Sequence, residues 1–279
     1  MTTRAALPAP PTFAAGAVRV FSLSLGEMLW SRRTIFMALV VAGPVFLAVV
    51  ARMVAAGGVA PVRVNGQEVG GAAIFGMMIW VLFLRFIVPV LGVFYGTSLV
   101  ADEVEDKTIT YLFTRPIPRG AVLLGKYLAY LVCTTLVVLP SVMIVYFLIV
   151  PFAQIPGTFA ALVKDLGILA LGLAAYGALF ALAGAVLKRP LVIGLVFAFG
   201  WEQVALLMPG SLKSFTLAYY LQSLMPHAMP ADGMVALLQS VFRDAPGAPV
   251  ALFWLVLTMA VSLWLAMRAV ERREYVLEQ

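Results

Sequence analysis

Six long apolar stretches limit what this chain can fold into. Each is near or above the roughly 20 residues that an α-helix needs to cross the hydrocarbon of a bilayer. They cover residues 34–56, 73–100, 122–152, 166–187, 191–208 and 249–269. Hydrophobic residues make up 63% of the 279 residues and charged residues 11%, so the polar segments are too short to build a soluble core. The sequence predicts an all-α integral membrane protein with six transmembrane helices, in one domain over residues 13–279 after a flexible tail over residues 1–12.

Two segments outside the spans are amphipathic. Residues 13–30 predict a helix lying on the membrane surface, and residues 209–248 predict two short external helices between spans five and six. The apolar sets at helical spacing are Val18, Phe21, Leu25, Met28 and Leu29 in the first segment, then Leu217, Tyr220, Leu221, Leu224 and Met225, and finally Met234, Leu237, Leu238, Val241 and Phe242. The external pair is interpreted either as a lid over a transport pathway or as an ordinary capping loop.

Basic residues are distributed unevenly between the two sides of the membrane. Six spans place both termini on one side, and that side has the pairs Arg32-Arg33, Lys188-Arg189 and Arg272-Arg273. The opposite side has only Arg63, Lys164, Lys213 and Arg243. By the positive-inside rule, both termini and the loop between spans two and three are predicted to be cytoplasmic.

Residues 101–126 form a polar block between spans two and three. The acids Asp102, Glu103, Glu105 and Asp106 open the block, and Arg115, Arg119 and Lys126 close it. Acids at the start and bases at the end both complement a helix dipole, and Pro116 is expected to end the helix. The block therefore predicts a short cytoplasmic helix that binds a partner; the alternative is a charged loop that only satisfies topology.

The order of residues in this block resembles the first cytoplasmic loop of type-2 ATP-binding cassette (ABC) transporter permeases. Acids are followed by Lys107-Thr108, then by Leu112-Phe113-Thr114-Arg115-Pro116-Ile117-Pro118-Arg119, and then by Lys126. The six-span plan, the lead-in of Glu27 with Ser31-Arg32-Arg33 and the helical link before the last span also agree with that family. Lys107 and Pro118 depart from it, since the family usually has Gly and a small polar residue there.

The resemblance implies a permease subunit of a bacterial ABC exporter in the cytoplasmic (inner) membrane. The block would be a coupling helix that docks onto a separate ATPase subunit, with two permease chains and two ATPase chains in the complex. The interface residues would be Glu103, Asp106, Thr108, Ile109, Leu112, Phe113, Arg115, Pro116 and Arg119. ATP and magnesium would bind the ATPase, this chain would bind no cofactor and no nucleic acid, and the substrate would be hydrophobic or amphipathic. The alternative is a secondary transporter driven by an ion gradient without an ATPase.

Patterns that suggest catalysis or metal binding in this chain are weak. Gly120 to Tyr127 resembles a phosphate-binding G-x-x-x-x-G-K-[ST] loop, but Tyr127 cannot supply the small hydroxyl for magnesium and no strand is predicted before it. One cysteine, Cys133, and one histidine, His227, do not make a Cys/His metal site. A non-catalytic transport subunit is expected.

Two ionisable residues lie within the predicted spans. Arg85 is about 18 Å from the outer end of span two, and Glu202 about 17 Å from the inner end of span five, at 1.5 Å per residue. Charged groups at such depth are costly and are usually paired or face water. Arg85 and Glu202 are therefore candidates for a substrate path or for an intramembrane ion pair.

Overall fold

The computed structural model describes residues 12–57, 63–64, 67–68, 70–105, 118–207, 211–225 and 246–272. Over these residues the chain is helical apart from one small hairpin. The main helices are α1 (Phe13–Leu29), α2 (Arg32–Ala56), α3 (71–105), α4 (Arg119–Ile149), α5 (Ile155–Val186), α6 (190–207), α7 (Leu217–Ser223) and α8 (Ala248–Arg272). The strands β1 (Arg63–Val64) and β2 (Gln67–Glu68) pair antiparallel in the link between α2 and α3.

Among the described helices, five are long and apolar enough to cross a membrane. These candidate spans are Arg33–Ala56, Gly71–Ala101, Arg119–Ile149, Phe152–Val186 and Ala248–Arg272. The fifth predicted span, 191–208, corresponds to α6, whose apolar part Pro190–Ala205 is shorter than the other five. The structure thus describes a multi-pass helical membrane protein, and the sixth crossing stays a prediction.

Helix α5 begins well before its predicted span. The described helix α5 begins at Ile155, although the sequence predicts a polar link before Leu166. Pro156 lies in the first turn, where a missing N–H costs nothing, and Lys164 and Asp165 fit within the helix that follows. Helix α4 is unbroken from Arg119 to Ile149, with Pro140 inside it.

Helices α3 and α5 form the centre of the molecule. In the most apolar 18-residue stretch of each helix, 61% of the residues are buried in α3 and 56% in α5, against 22% in both α2 and α8. Helix α5 contacts α3, α4, α6, α7 and α8. The outer helices consequently present large apolar side chains, such as Phe46 on α2 and Phe253 on α8, outward.

Small residues allow the central helices to pack closely. Gly177 and Gly184 of α5 allow a close approach, because a Cβ atom at Gly177 would overlap the ring of Tyr130 and one at Gly184 would overlap the carbonyl of Thr97. On α3, a Cβ at Gly92 would lie 2.7 Å from the Cβ of Tyr176. The Tyr130 hydroxyl donates a hydrogen bond to the Leu173 carbonyl at 2.8 Å, which also joins α4 to α5.

Helix α1 packs against α4 through small residues rather than through its predicted apolar face. A Cβ at Gly125 of α4 would lie 2.6 Å from the carbonyl oxygen of Ala17, so the two backbones are nearly in contact. The buried residues of α1 are Gly16, Ala17, Val20 and Ser24, whereas Val18 of the predicted face is 63% exposed. Leu25, Met28 and Leu29 of that face are half-buried against the core.

Candidate functional site

The structure extends the helices on both sides of the polar block. The acids up to Glu105 belong to α3, which continues past the apolar span that ends at Ala101. Arg119 and Lys126 belong to α4, which Pro118 precedes as N-cap. The sequence predicts that these residues open and close a separate helix, but no proline or glycine interrupts α3 before Glu105, and Pro118 favours a helix start at Arg119.

Most of the proposed ATPase interface lies outside the described residues. This holds for Asp106, Thr108, Ile109, Leu112, Phe113, Arg115 and Pro116. Of the other two, Glu103 lies in α3, where the structure describes only its backbone. Arg119 is half-buried in the first turn of α4. The predicted coupling helix itself therefore stays a prediction.

The start of α4, within the block, is packed by the first and the last of the described helices. A Cβ at Gly120 would lie 3.2 Å from Oε1 of Glu271 and 3.5 Å from the Phe13 ring. Phe13 begins α1 and Glu271 lies in the last turn of α8, so three helices meet at this point. The C-terminal part of α3 also contacts α4. The start of α4 thus packs against three other helices, α1, α3 and α8.

The second candidate site surrounds Arg85 and Glu202. Arg85 lies in a π-helical segment of α3, Ile79–Ile87, and Glu202 directly follows a π-helical segment of α6, Phe197–Trp201. A π-helical segment carries an extra residue per turn and redirects the side chains around it, and such segments are frequent at functional sites. Both ionisable residues therefore lie where the backbone departs from regular α-helix.

Glu202 is only 1% exposed and is held by hydrogen bonds from two other helices. The Tyr176 hydroxyl of α5 donates to Oε2. The backbone N–H of Leu217 donates to Oε1 at 3.0 Å. Leu217 is the first residue of α7, and its N-cap residue Thr216 makes no side-chain capping bond. Glu202 therefore accepts a hydrogen bond from a helix N-terminus that has no side-chain cap of its own.

Arg85 bonds to the residue next to Glu202 rather than to Glu202 itself. Its Nη2 donates to Oε1 of Gln203, and its guanidinium lies 5.2 Å from the centre of the Trp80 ring. The ion pair considered from the sequence is thus absent as a direct contact, because α6 turns Gln203 toward Arg85 and Glu202 toward Tyr176. Arg85 and Glu202 still lie within electrostatic range of each other.

Three side chains in this region have buried polar atoms without a hydrogen-bond partner among the residues the structure describes. They are Nε1 of Trp80, Nε of Arg85 and both amide atoms of Gln222. Gln222 is 8% exposed and belongs to α7, which contacts the π-helical segment that contains Trp80. Buried polar groups are normally satisfied, so these atoms favour a site that receives a polar ligand group or water.

Helix α7 corresponds to the first of the two predicted external helices. It is buried rather than resting on a surface, since Leu217, Ala218, Tyr219, Leu221 and Gln222 are all at most 8% exposed. It packs against α3, α5 and α8. The second predicted helix, over residues 234–242, lies outside the described residues.

Comparison with known proteins identifies the family. Residues 26–275 match the family model described as "ABC-2 family transporter protein". The chain belongs to the ABC-2 transporter family. A search of curated proteins gave no match. The permeases of this family are membrane components of ABC transporters, generally non-catalytic, and they work with an ATPase partner.

The residues that complete the cluster around Arg85 and Glu202 were not found from the sequence. Tyr176, Gln203 and the N-terminus of α7 contact Arg85 or Glu202 only through long-range packing. A signal was present for Gln203, because it follows Glu202 in an apolar stretch where any polar residue is unusual. Tyr176 had no such signal, since tyrosine is common within apolar helices.

Proposed function

We propose that this permease exports a hydrophobic or amphipathic substrate with energy from ATP hydrolysis by a separate ATPase subunit. The observation that carries the proposal is the family match over residues 26–275 together with the polar block between two candidate spans. In the complex, two permease chains and two ATPase chains would assemble in the bacterial inner membrane. ATP and Mg²⁺ would be bound by the ATPase subunits.

The coupling helix would lie within residues 101–126, on the cytoplasmic side. Phe113 with Leu112 and Ile109 would form an apolar anchor in a groove of the ATPase, and Arg115 and Arg119 would add charge-assisted hydrogen bonds at its edge. Closure of the ATPase pair on ATP would move the block, and the packed start of α4 would pass that motion to α1, α3 and α8. The result is a two-state hinge driven by nucleotide.

The polar cluster around Arg85 and Glu202 would line or border the path of the substrate. Its support is the group of buried polar atoms at Trp80, Arg85 and Gln222 that have no partner in the described part of the chain. An amphipathic substrate would offer a polar group to those atoms and an apolar body to the surrounding aromatic rings. Movement of α6 relative to α5 would change the Tyr176–Glu202 contact and thereby the position of α7.

The proposal predicts that a cassette ATPase subunit co-purifies with the permease from its native membrane and that the permease stimulates this ATPase in proteoliposomes. Phe113→Ala/Arg115→Ala is expected to abolish both the co-purification and the stimulation. A matched control is Arg52→Ala/Phe215→Ala, which removes the same two residue types at exposed positions outside the polar block. The control should co-purify like the wild type.

Two results would overturn the proposal. One is wild-type co-purification by the Phe113→Ala/Arg115→Ala variant, which would remove the coupling role of the block. The other is accumulation of an amphipathic fluorescent dye by the purified permease alone under an ion gradient, which would make it a secondary transporter.

A further inference from the structure

A cavity of about 500 Å³ opens where three helices reach the same end of the bundle. It lies between the start of α2, the C-terminal part of α3 and the turn before α6. Arg33 begins one candidate span and Ala101 ends the next, and both line the cavity. The cavity is therefore at the level where the apolar spans meet the headgroup region, and it is separate from the Arg85–Glu202 cluster.

The mouth of the cavity is basic. Arg33, Lys188 and Arg189 line it, and the described lining residues include no carboxylate. Lys188 and Arg189 are exposed, and neither side chain makes a hydrogen bond or ion pair within the described part of the chain. The hydroxyl-bearing residues Thr97 and Ser98 lie beside them. Three cations with nearby hydroxyls are suited to a phosphate-type headgroup.

The inner end of the cavity is apolar. Phe36 and Phe94 contribute rings whose centres are 5.0 Å apart. Phe94 precedes Ala101 by about two turns of helix, which places its Cα atom roughly 10 Å further into the apolar span than that of Ala101. Leu191 and Val192 of α6 complete the apolar lining. A charged mouth above an aromatic floor matches a molecule with an anionic headgroup and an acyl chain.

We propose that this cavity binds an anionic phospholipid of the adjacent leaflet, with the headgroup phosphate between Arg33, Lys188 and Arg189 and an acyl chain against Phe36 and Phe94. That the leaflet is the cytoplasmic one rests on the orientation in the proposed function. A soluble anion would not use the aromatic floor, and the cationic group of a zwitterionic lipid would be brought close to Arg33, Lys188 and Arg189, so the lining favours an anionic lipid over either. Such a lipid would tie α2, α3 and α6 together at one end of the bundle.

The test is native mass spectrometry of the full-length permease in detergent, titrated with phosphatidylglycerol or with phosphatidylcholine of the same acyl chains. We expect one tight phosphatidylglycerol site per chain, weaker phosphatidylcholine binding, and a loss of affinity as the ammonium acetate concentration rises. Lys188→Gln/Arg189→Gln should lower the phosphatidylglycerol affinity about 10-fold. Ser98→Phe should lower it without any change in charge, since it fills the space beneath the mouth.

The matched control is Arg19→Gln/Arg272→Gln, which removes two exposed cations from the same predicted side outside the cavity. Its phosphatidylglycerol affinity should stay within about two-fold of the wild type. An equal loss in the control would show diffuse attraction and overturn the site, as would unchanged binding in both cavity variants.

Two further outcomes would show that the cavity binds something other than a lipid. Displacement of the lipid by glycerol 1-phosphate at equal concentration would show that a soluble anion suffices. A change from dimer to monomer mass in Ser98→Phe, without loss of bound lipid, would assign the cavity to contacts between two copies. Because no ATPase is present in these measurements, failure of the lipid site and failure of the proposed transport function are distinguishable.

Discussion

At the scale of single residues, Glu202 performs a task that usually falls to a local capping side chain. The first N–H groups of a helix have no partner within the helix, and in an apolar environment an unsatisfied group costs several kcal/mol. Glu202 supplies an acceptor to α7 from a different helix, and the Tyr176 hydroxyl occupies its other oxygen. The position of α7 is therefore tied to both α5 and α6.

Two replacements of Glu202 should show whether its hydrogen bond to the N-terminus of α7 or its negative charge stabilises the permease. Glu202→Gln keeps an acceptor oxygen for the Leu217 N–H and should change the stability of the permease little. Glu202→Leu removes it and should lower the unfolding free energy by about 1–3 kcal/mol. Thermal unfolding in detergent, with Tyr176→Phe as a variant that removes only the second hydrogen bond, measures both effects. Equal losses in the Gln and Leu variants would show that the negative charge, rather than the cap, is required.

Arg85 should be coupled more strongly to Gln203 than to Glu202. The single changes Arg85→Ala and Gln203→Ala each break the same hydrogen bond, so their double variant should be less destabilised than the sum, by about 0.5–2 kcal/mol. The cycle of Arg85→Ala with Glu202→Ala should give a smaller coupling energy. Unfolding titrations of the wild type and of each variant in mixed micelles provide the free energies. A larger coupling in the second cycle would restore the direct ion pair as the main contact.

At the scale of elements, α5 depends on two glycines that contact neighbouring helices. Gly184 faces the backbone of Thr97 on α3, and Gly177 faces the Tyr130 ring on α4. A Cβ atom added at Gly167 of the same helix would meet nothing within 4 Å. The same substitution at different positions on one helix should thus have opposite effects.

Gly184→Ala should destabilise the permease by about 1–3 kcal/mol, because the added methyl group meets backbone atoms that cannot rotate away. Gly167→Ala should be neutral or slightly stabilising, since alanine has the higher helix propensity. The melting temperatures of the two variants in detergent are the measurement. Similar melting temperatures would mean that α3 and α5 are free to separate at this point.

The local sequence pattern predicts most of the helices but little of how they pack against one another. Length and hydropathy were enough to predict α2, α3 and α8, since these depend only on neighbouring residues. The start of α5 was missed because Lys164 and Asp165 have the composition of a loop, and the structure buries Asp165 completely. Gly92 and Gly96 have the small-xxx-small spacing typical of close helix contacts, so their role was readable in principle. The Tyr176–Glu202 contact was not, because it depends on how α5 and α6 are rotated.

At the scale of the whole molecule, the orientation of the chain depends on α6. Five described helices have the length and hydropathy of a span, and an odd number of crossings would leave the termini on opposite sides. Helix α6 covers 190–207, about 27 Å at 1.5 Å per residue, against a hydrocarbon thickness of about 30 Å. The distribution of Lys and Arg favours a sixth crossing, because it gathers Arg32-Arg33, Lys188-Arg189 and Arg272-Arg273 on one side.

Single-cysteine labelling should show that the two ends of the chain share one side. In a Cys133→Ala background, cysteines at Ser22 in α1 and at Gln279 should both resist a membrane-impermeant maleimide in intact cells and react after the membrane is permeabilised. A cysteine at Gln67, in the link between α2 and α3, should react in intact cells and serves as the positive control. Reaction of the Gln279 cysteine but not the Ser22 cysteine in intact cells would mean that α6 does not cross. Lys188-Arg189 and Arg272-Arg273 would then lie on opposite sides of the membrane.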